Sequence, residues 1–401
     1  MERLLENWGP DGTDADALGF ADLDTLHFAS VTIFDREFLD ALLVIECNFD
    51  GDLETFLQRF AQKAQGLADL LNCRIGPAVS APGEIVETLR AAAVKPAARH
   101  IGALGLSRVE ILASEAVVEE VRRHLDANQG LLSQAAAPAV AAALRQAFNG
   151  RLPPVSPRRS AAEAMGAATP LVLAVLGLLA LAAFCLVKHT FAPLLALAAL
   201  IAIGAVSFLL AERREPVRES PEARDDPAAR NENRPGFAQN HFSSIAPLKT
   251  GPVRWASLRL FMWVLNAVAR LFYTKGRLGR IPSIHFAHWS IVDQGSSLIF
   301  VSNYGGTWES YLDDFIQKAA DGLTGVWSHC QGFPASRRLT KGGARDERAF
   351  KRYARDTQAV EAIWFSAYPR LTTSRINNNR AIVEALAGVS KEPPERWLAR
   401  I

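Results

Sequence analysis

Cysteine is scarce in this chain of 401 residues, and the four present, Cys47, Cys73, Cys185 and Cys330, form no Cys-x-x-Cys pair. That spacing excludes a disulfide scaffold or a zinc ribbon and fits a reducing compartment. Other signatures are missing too: there is no nucleophile elbow, metal-binding cluster, dinucleotide fingerprint or kinase motif. The opening Met1-Glu2-Arg3-Leu4-Leu5-Glu6 lacks the apolar core of a signal peptide. Enzyme status therefore stays open.

What the chain does contain is a charge gradient. Residues 1–150 hold 12 Lys/Arg against 22 Asp/Glu, and residues 236–401 hold 22 against 12, although the overall charge is only +2. An acidic and a basic lobe on one chain would attract each other across an interface, or each would simply solvate its own surface. Between them, residues 170–187 and 191–211 are apolar runs broken by Lys188-His189-Thr190. Each is about the length that a bilayer core of roughly 30 Å requires. Arg158 and Arg159 precede the pair and Arg213 and Arg214 follow it. This predicts a transmembrane hairpin over 168–211 in a bacterial inner membrane, with both lobes cytoplasmic.

The first 25 residues read as an acidic lead-in, and 212–236, charged and Pro-rich, as a disordered linker. Residues 26–150 read as one α+β lobe and 281–390 as another. In the first, strand-like runs at 26–35 and 42–49 precede helices near 53–67, 84–93, 114–127 and 134–148, with a strand near 99–106 or 107–113. Residues 237–280 read as a basic segment whose apolar helix 255–273 lies in the membrane interface, or alternatively under the C-terminal lobe.

A repeat carries the fold prediction. His27-Phe28-Ala29 recurs as His285-Phe286-Ala287, and Asn48, Gly51 and Glu54 as Asn303, Gly306 and Glu309. Leu57, Phe60 and Gln62-Lys63-Ala64 recur as Leu312, Phe315 and Gln317-Lys318-Ala319. A duplicated hairpin-plus-helix unit follows. The second copy continues as a strand at 325–330, a helix near 345–356, a strand at 362–367 and a helix near 373–387. The fold class is α+β, two ferredoxin-like repeats packed sheet to sheet and separated by the two-helix hairpin.

The second copy, Ile284-His285-Phe286-Ala287 with Ser302-Asn303-Tyr304 and Trp308 to Phe315, resembles a group of bacterial membrane-associated proteins. Its layout is similar to the dimeric α+β barrel superfamily, which includes dye-decolourising peroxidases and chlorite dismutase-like haem proteins. The resemblance implies haem as a candidate cofactor; in an enzyme reading of this chain's own residues, His285 or His329 would be the ligand. The Gly-x-x-Asp-Gly signature of dye-decolourising peroxidases is missing, with only Asp50-Gly51 and Gly305-Gly306 in its place, so no ligand or catalytic residue carries over.

Candidate ligand-binding residues are His285, His288, Asn303, Tyr304, Trp308, Glu309, Tyr311 and His329. Strict alternation would put His285 on a strand face with Ala287, Trp289 and Ile291, and His288 on the other with Phe286. An imidazole at either place could ligate haem, exchange protons near neutral pH, or serve the fold through a hydrogen bond. Thr307 is a candidate N-cap beneath the cluster. Gly332 to Arg355 holds eight cations around Gly342-Gly343. Of these, Arg337, Arg338, Lys341 and Arg345 are candidates for an anionic headgroup. It is not a Walker loop, and no nucleic-acid-binding motif accompanies the charge. Three readings follow: a protein that binds a lipophilic or anionic membrane-derived ligand, a haem-dependent peroxidase-like oxidoreductase, and a non-catalytic membrane scaffold. Membrane lipid is the implied partner; pairing of the repeats within one chain and a homo-oligomer are both open.

Overall fold

The computed structural model describes residues 18–36, 39–64, 66–132, 135–155, 161–214, 232–272, 281–338 and 340–401. Most of the lead-in and linker segments, and Lys275, Arg277 and Arg280, lie outside the described residues.

The chain is a mixed α+β protein with antiparallel sheets. Its first half runs β1 (Leu26–Arg36), β2 (Leu39–Phe49), α1 (Leu53–Lys63), α2 (Leu67–Asn72), α3 (Pro82–Ala92), β3 (Ala98–Ile101), α4 (Arg108–Ala127) and α5 (Ala137–Ala147). Two long apolar helices follow, α6 (Ala161–Val187) and α7 (Ala192–Arg214). The second half runs β4 (Gln239–Pro247), α8 (Pro252–Phe272), β5 (Ile284–Val292), β6 (Ser297–Gly305) and α9 (Trp308–Trp327). It ends with β7 (Ser336–Arg337), β8 (Lys341–Gly342), α10 (Glu347–Thr357), β9 (Gln358–Ala359), β10 (Glu361–Ser366), α11 (Thr373–Leu386) and α12 (Pro394–Leu398).

The sheets do not follow the halves of the sequence. One has the order β10-β1-β2 and the other β3-β5-β6-β4-β9. The last strand of each half therefore completes the sheet of the other: β10 pairs with β1, and β3 with β5. The exchange is reciprocal down to single hydrogen bonds. Ala367 N donates to the His27 carbonyl at 2.9 Å, and Gly102 N donates to the His285 carbonyl at 2.8 Å. A Cβ at Gly102 would sit 2.0 Å from the Ile284 carbonyl, so the approach there requires glycine.

The helices after the hairpins keep the same correspondence. Helices α3 and α10 start at 82 and 347, and α4 and α11 at 108 and 373, a constant spacing of 265. Ser107 and Thr372, the same distance apart, are both N-caps: each oxygen accepts from the backbone N–H three residues on. The correspondence in spacing thus extends beyond the sequence motif.

The outer face of the first sheet packs Ala29, Val31 and Ile363 against Phe56, Phe60, Leu67, Leu70 and Ile85. The outer face of the second packs Phe242, Trp289 and Phe300 against Leu258 and Met262 of α8 and Phe315, Leu323 and Trp327 of α9. The inner faces meet each other. Phe34, Leu42 and Val44 meet Ile245, Ile299 and Val301 at one end, and Phe28, Trp364 and Tyr368 meet Phe286 at the other. Between the halves, Arg375 pairs with Glu115 and with Glu119, the latter at 2.5 Å, and Arg36 pairs with Asp293 at 2.6 Å.

Several expectations are corrected. Helix α4 starts at Arg108 because the Ser107–Glu110 capping box fixes its end there, which leaves only four residues for β3. The strand predicted at 325–330 does not form. Apolar positions Leu323, Val326 and Trp327 keep the helical period, so α9 continues to Trp327. Strand β4 lies in a segment expected to carry only the interfacial helix; its Gln, Asn, His and Ser content hides its alternation.

Removing one half should expose an unpaired strand edge on the other. Residues 18–155 and 232–401 are expected to aggregate when produced separately and to co-purify as a one-to-one complex when produced together. A monodisperse, cooperatively unfolding fragment of either kind would contradict the exchange.

Candidate functional site

The repeated His-Phe-Ala is explained by a β-bulge. In each hairpin two residues stand opposite one: the register slips between Leu26 and Phe28 and again between Ile284 and Phe286. A bulge turns consecutive side chains toward the same side of a sheet. His27 and Phe28, and likewise His285 and Phe286, therefore all enter the seam between the sheets. This corrects the alternation reading for His285, since Ala287 and Trp289 lie in the outer core.

The two histidines have unequal surroundings. His27 is held at both nitrogens, Nδ1 by the Tyr368 hydroxyl at 2.8 Å and Nε2 by Asp50 Oδ1 at 3.0 Å. The repeat spacing puts Gly305 where the first copy has Asp50, and Ala103 where the second has Tyr368. Neither replacement can hold a ring nitrogen. His285 Nε2 is buried with no hydrogen-bond partner among the described residues. Burial, and secondarily the nearby His27, push its pKa down to about 3. A group that stays neutral throughout the physiological range is not a proton shuttle near pH 7.

A second cluster lies along the seam. Asn303 Oδ1 accepts from Trp364 Nε1 at 2.9 Å and from His241 Nδ1 at 3.0 Å, while its amide reaches Glu46 Oε1 at 3.5 Å. Asn48 also donates to Glu46 Oε1. His288 Nδ1 lies 3.9 Å from the same oxygen. Burial raises the Glu46 carboxyl to about 8 and lowers His241 and His288 to about 4 each. Glu46 and His288 therefore face each other as neutral groups rather than as an ion pair. Glu46 Oε2 and His241 Nε2 remain buried without a hydrogen bond among the described residues. Asn48 and Asn303, the repeated asparagines, both serve this network.

The other candidates stand elsewhere. Tyr304 and Tyr311 stack at 3.9 Å on the outer face of the second sheet, and the Tyr311 hydroxyl donates to Ser302 Oγ at 2.7 Å. Trp308 Nε1 donates to Gln358, and the Arg355 guanidinium lies 3.5 Å over its ring. Thr307 caps α9 by accepting from Ser310 N, and Glu309 is exposed. The sheet separates this aromatic group from the seam, so the predicted cluster is two clusters.

His329 closes the end of α9. Its Nε2 contacts Ser257 Oγ at 2.8 Å and its Nδ1 the Val326 carbonyl at 3.2 Å. Its ring faces Phe208 of α7, over which Arg254 stacks at 4.3 Å. The basic loop lies at the end of the same helix. Glu212 accepts from Ser336 Oγ at 3.1 Å and from Arg338 N at 2.7 Å. Arg337 and Lys341 stand opposite each other on β7 and β8, exposed, and Arg345 pairs with Asp321 at 2.9 Å.

These surroundings do not fit a haem. A macrocycle over His285 would need a slot several ångströms deep, yet the ring is in contact with Phe28 and Tyr368, at centroid distances of 5.3 and 6.1 Å. At His329 both nitrogens are engaged. Among the described residues no group of three metal-ligating side chains converges. Comparison with protein-family models, with curated proteins and with solved structures finds no match to this chain.

Glu46, His241, Trp364 and Tyr368 are the site residues that sequence reasoning misses. For Glu46 a signal exists: it is in phase with Leu42 and Val44, which marks an acid on the buried face of a strand.

The pKa directions fix a pH response. Unfolded, Glu46 ionises near 4.5; folded, it keeps its proton to about 8. Its contribution is complete below 4.5 and is lost as pH rises through about 8. The imidazoles run the other way, contributing fully above 6.5 and losing that contribution as pH falls toward 4. Glu361, likewise raised by burial, loses its own contribution as pH rises to about 7, so the Glu46 loss is read above that, between about 7 and about 8. Thermal unfolding should show stability falling there by about 1 kcal/mol per pH unit, and Glu46→Gln should flatten the slope. Identical slopes in both proteins would contradict a neutral Glu46.

Proposed function

We propose that the protein is anchored in a bilayer by α6 and α7 and that its C-terminal lobe binds a lipophilic or anionic membrane-derived ligand at that surface. The observation that carries this reading is the junction at Glu212. The segment Ala192–Leu210 is long and apolar enough to cross a membrane, and only 6 % of it is buried in protein. It runs directly into Glu212, whose carboxylate holds the basic loop. Cations so placed would sit among lipid headgroups, where each contributes about 1 kcal/mol of attraction to an anionic surface. Helix α8 packs beside α6 and α7 and exposes Trp255, Leu260, Trp263 and Val264, an interfacial composition.

Strand exchange supports a paired crossing. Because β3 pairs with β5, the chain that leaves at Ile101 must return to the same side of the membrane by Ile284. If α7 crosses, so does α6, whose apolar span Val172–Val187 is the shorter. A shorter span is accommodated by local thinning, with Lys188 at the far interface. Arginines at the outer ends and a single lysine in the turn favour the cytoplasmic side for both lobes. We read each half as a ferredoxin-like unit that has given its last strand to its partner.

The test is extraction and lipid analysis of the full chain. The protein is expected to resist release from membranes by alkaline carbonate and to retain acidic phospholipid through purification in detergent. Replacing Arg337, Arg338 and Lys341 by Gln should cut the retained lipid about tenfold or more. Release by carbonate would remove the anchor from this reading, and unchanged lipid in the triple variant would remove the basic loop.

A further inference from the structure

Beyond the basic loop, the C-terminal lobe has a cavity of about 250 Å³ between α8 and α9. Most of its wall is apolar, with Leu265, Trp289, Phe315, Leu323, Val326 and Trp327, and Gln317 and Asp321 also line it. Its rim carries Lys318 and Arg345. A second void of about 20 Å³ lies on the far side of Phe315, Leu323 and Trp327, which line both spaces. At roughly 30 Å³ for a water-sized group, the larger cavity holds about eight such groups. That is room for a stretch of one hydrocarbon chain. Movement of the shared aromatic wall would lengthen the space toward Phe350 and Tyr353, which line the smaller void.

We infer that this cavity takes the acyl chain of a long-chain fatty acid, with its carboxylate at Lys318 and Arg345. Three observations argue for that occupant. The lining away from Gln317, Lys318, Asp321 and Arg345 is mainly hydrocarbon and aromatic ring, which favours a flexible apolar chain. Among the described residues the two rim cations form solvent-accessible pairs, Lys318 with Asp314 at 2.5 Å and Arg345 with Asp321 at 2.9 Å. Such pairs contribute little and yield to a competing anion, and the surrounding half of the chain is strongly basic. Finally, Leu265 belongs to α8, the helix whose Trp255 and Trp263 are exposed, so the cavity lies beside the surface assigned to the membrane. The inference rests on the membrane reading above for its supply of ligand, and on the cavity alone for its chemistry.

Photolabelling of the full-length protein in detergent tests it, using a long-chain fatty acid with a terminal diazirine. Label is expected on peptides from Phe315 to Trp327 and should be competed by excess unmodified acid. Ala319→Trp, which fills the cavity, should abolish the label. Lys318→Gln with Arg345→Gln, at exposed positions that the fold does not need, should raise the competing concentration about tenfold. Label confined to 172–210 and 255–264, or undiminished in Ala319→Trp, overturns the site. Equal competition by the corresponding alcohol overturns the role of the cations. Retention of Ala319→Trp on acidic vesicles, measured in parallel, separates failure of this site from failure of the membrane anchor.

Discussion

Two backbone hydrogen bonds, Ala367 to the His27 carbonyl and Gly102 to the His285 carbonyl, tie the last strand of each half to the leading strand of the other half's hairpin. Almost everything else in the structure depends on that exchange. Without β10 the β1-β2 hairpin stands alone, and two strands are barely stable by themselves in water; without β3 the strand β5 is left as the open edge of its sheet. The exchange closes those edges with strands that share a chain, so it costs no association entropy. It also fixes the two sheets face to face, which determines what the inner faces must contain.

Those inner faces are chemically unequal along their length. At one end the seam is aliphatic and aromatic, with Phe34, Ile299 and Val301 fully enclosed. At the other, bulged histidines and paired asparagines meet a buried carboxylic acid. The two His-Phe bulges correspond in sequence and differ in what surrounds them. The first has Asp50 and Tyr368 as partners for His27, whereas the second has Gly305 and Ala103 at the matching places and leaves His285 Nε2 without a hydrogen bond among the described residues. Burying polar atoms without partners costs about 1–3 kcal/mol each. The seam is thus a place where specificity of pairing, set by directional hydrogen bonds, comes at some expense of stability.

Much of this was legible in the sequence. The repeat, the helix starts near residues 53 and 373, the Thr307 cap and the apolar runs at 170–211 follow from spacing and composition. The exchange was not legible, because β3 and β10 are short and read equally well as strands of their own lobes; no local pattern says which edge a strand will join. The bulge was hidden for a related reason: it breaks the alternation by which a strand face is read, and so His285 was assigned to the wrong side. Strand β4 was obscured by polar residues that are satisfied only by tertiary neighbours, such as Gln239 bonding to the Tyr368 and Leu371 carbonyls and His241 to Asn303. Candidate residues near one another in sequence, Asn303 and Tyr304, face opposite sides of one sheet, so adjacency in the chain misrepresented the site.

The account turns on the halves being one cooperative body, and hydrogen exchange of Gly102→Val against the unaltered protein tests this most directly. A side chain at 102 collides with the Ile284 carbonyl. If β3 completes the second sheet, amide protection should fall in β5 and in β10 as well as in β3. A loss confined to residues 18–155, with 284–292 and 361–366 as protected as before, would contradict it.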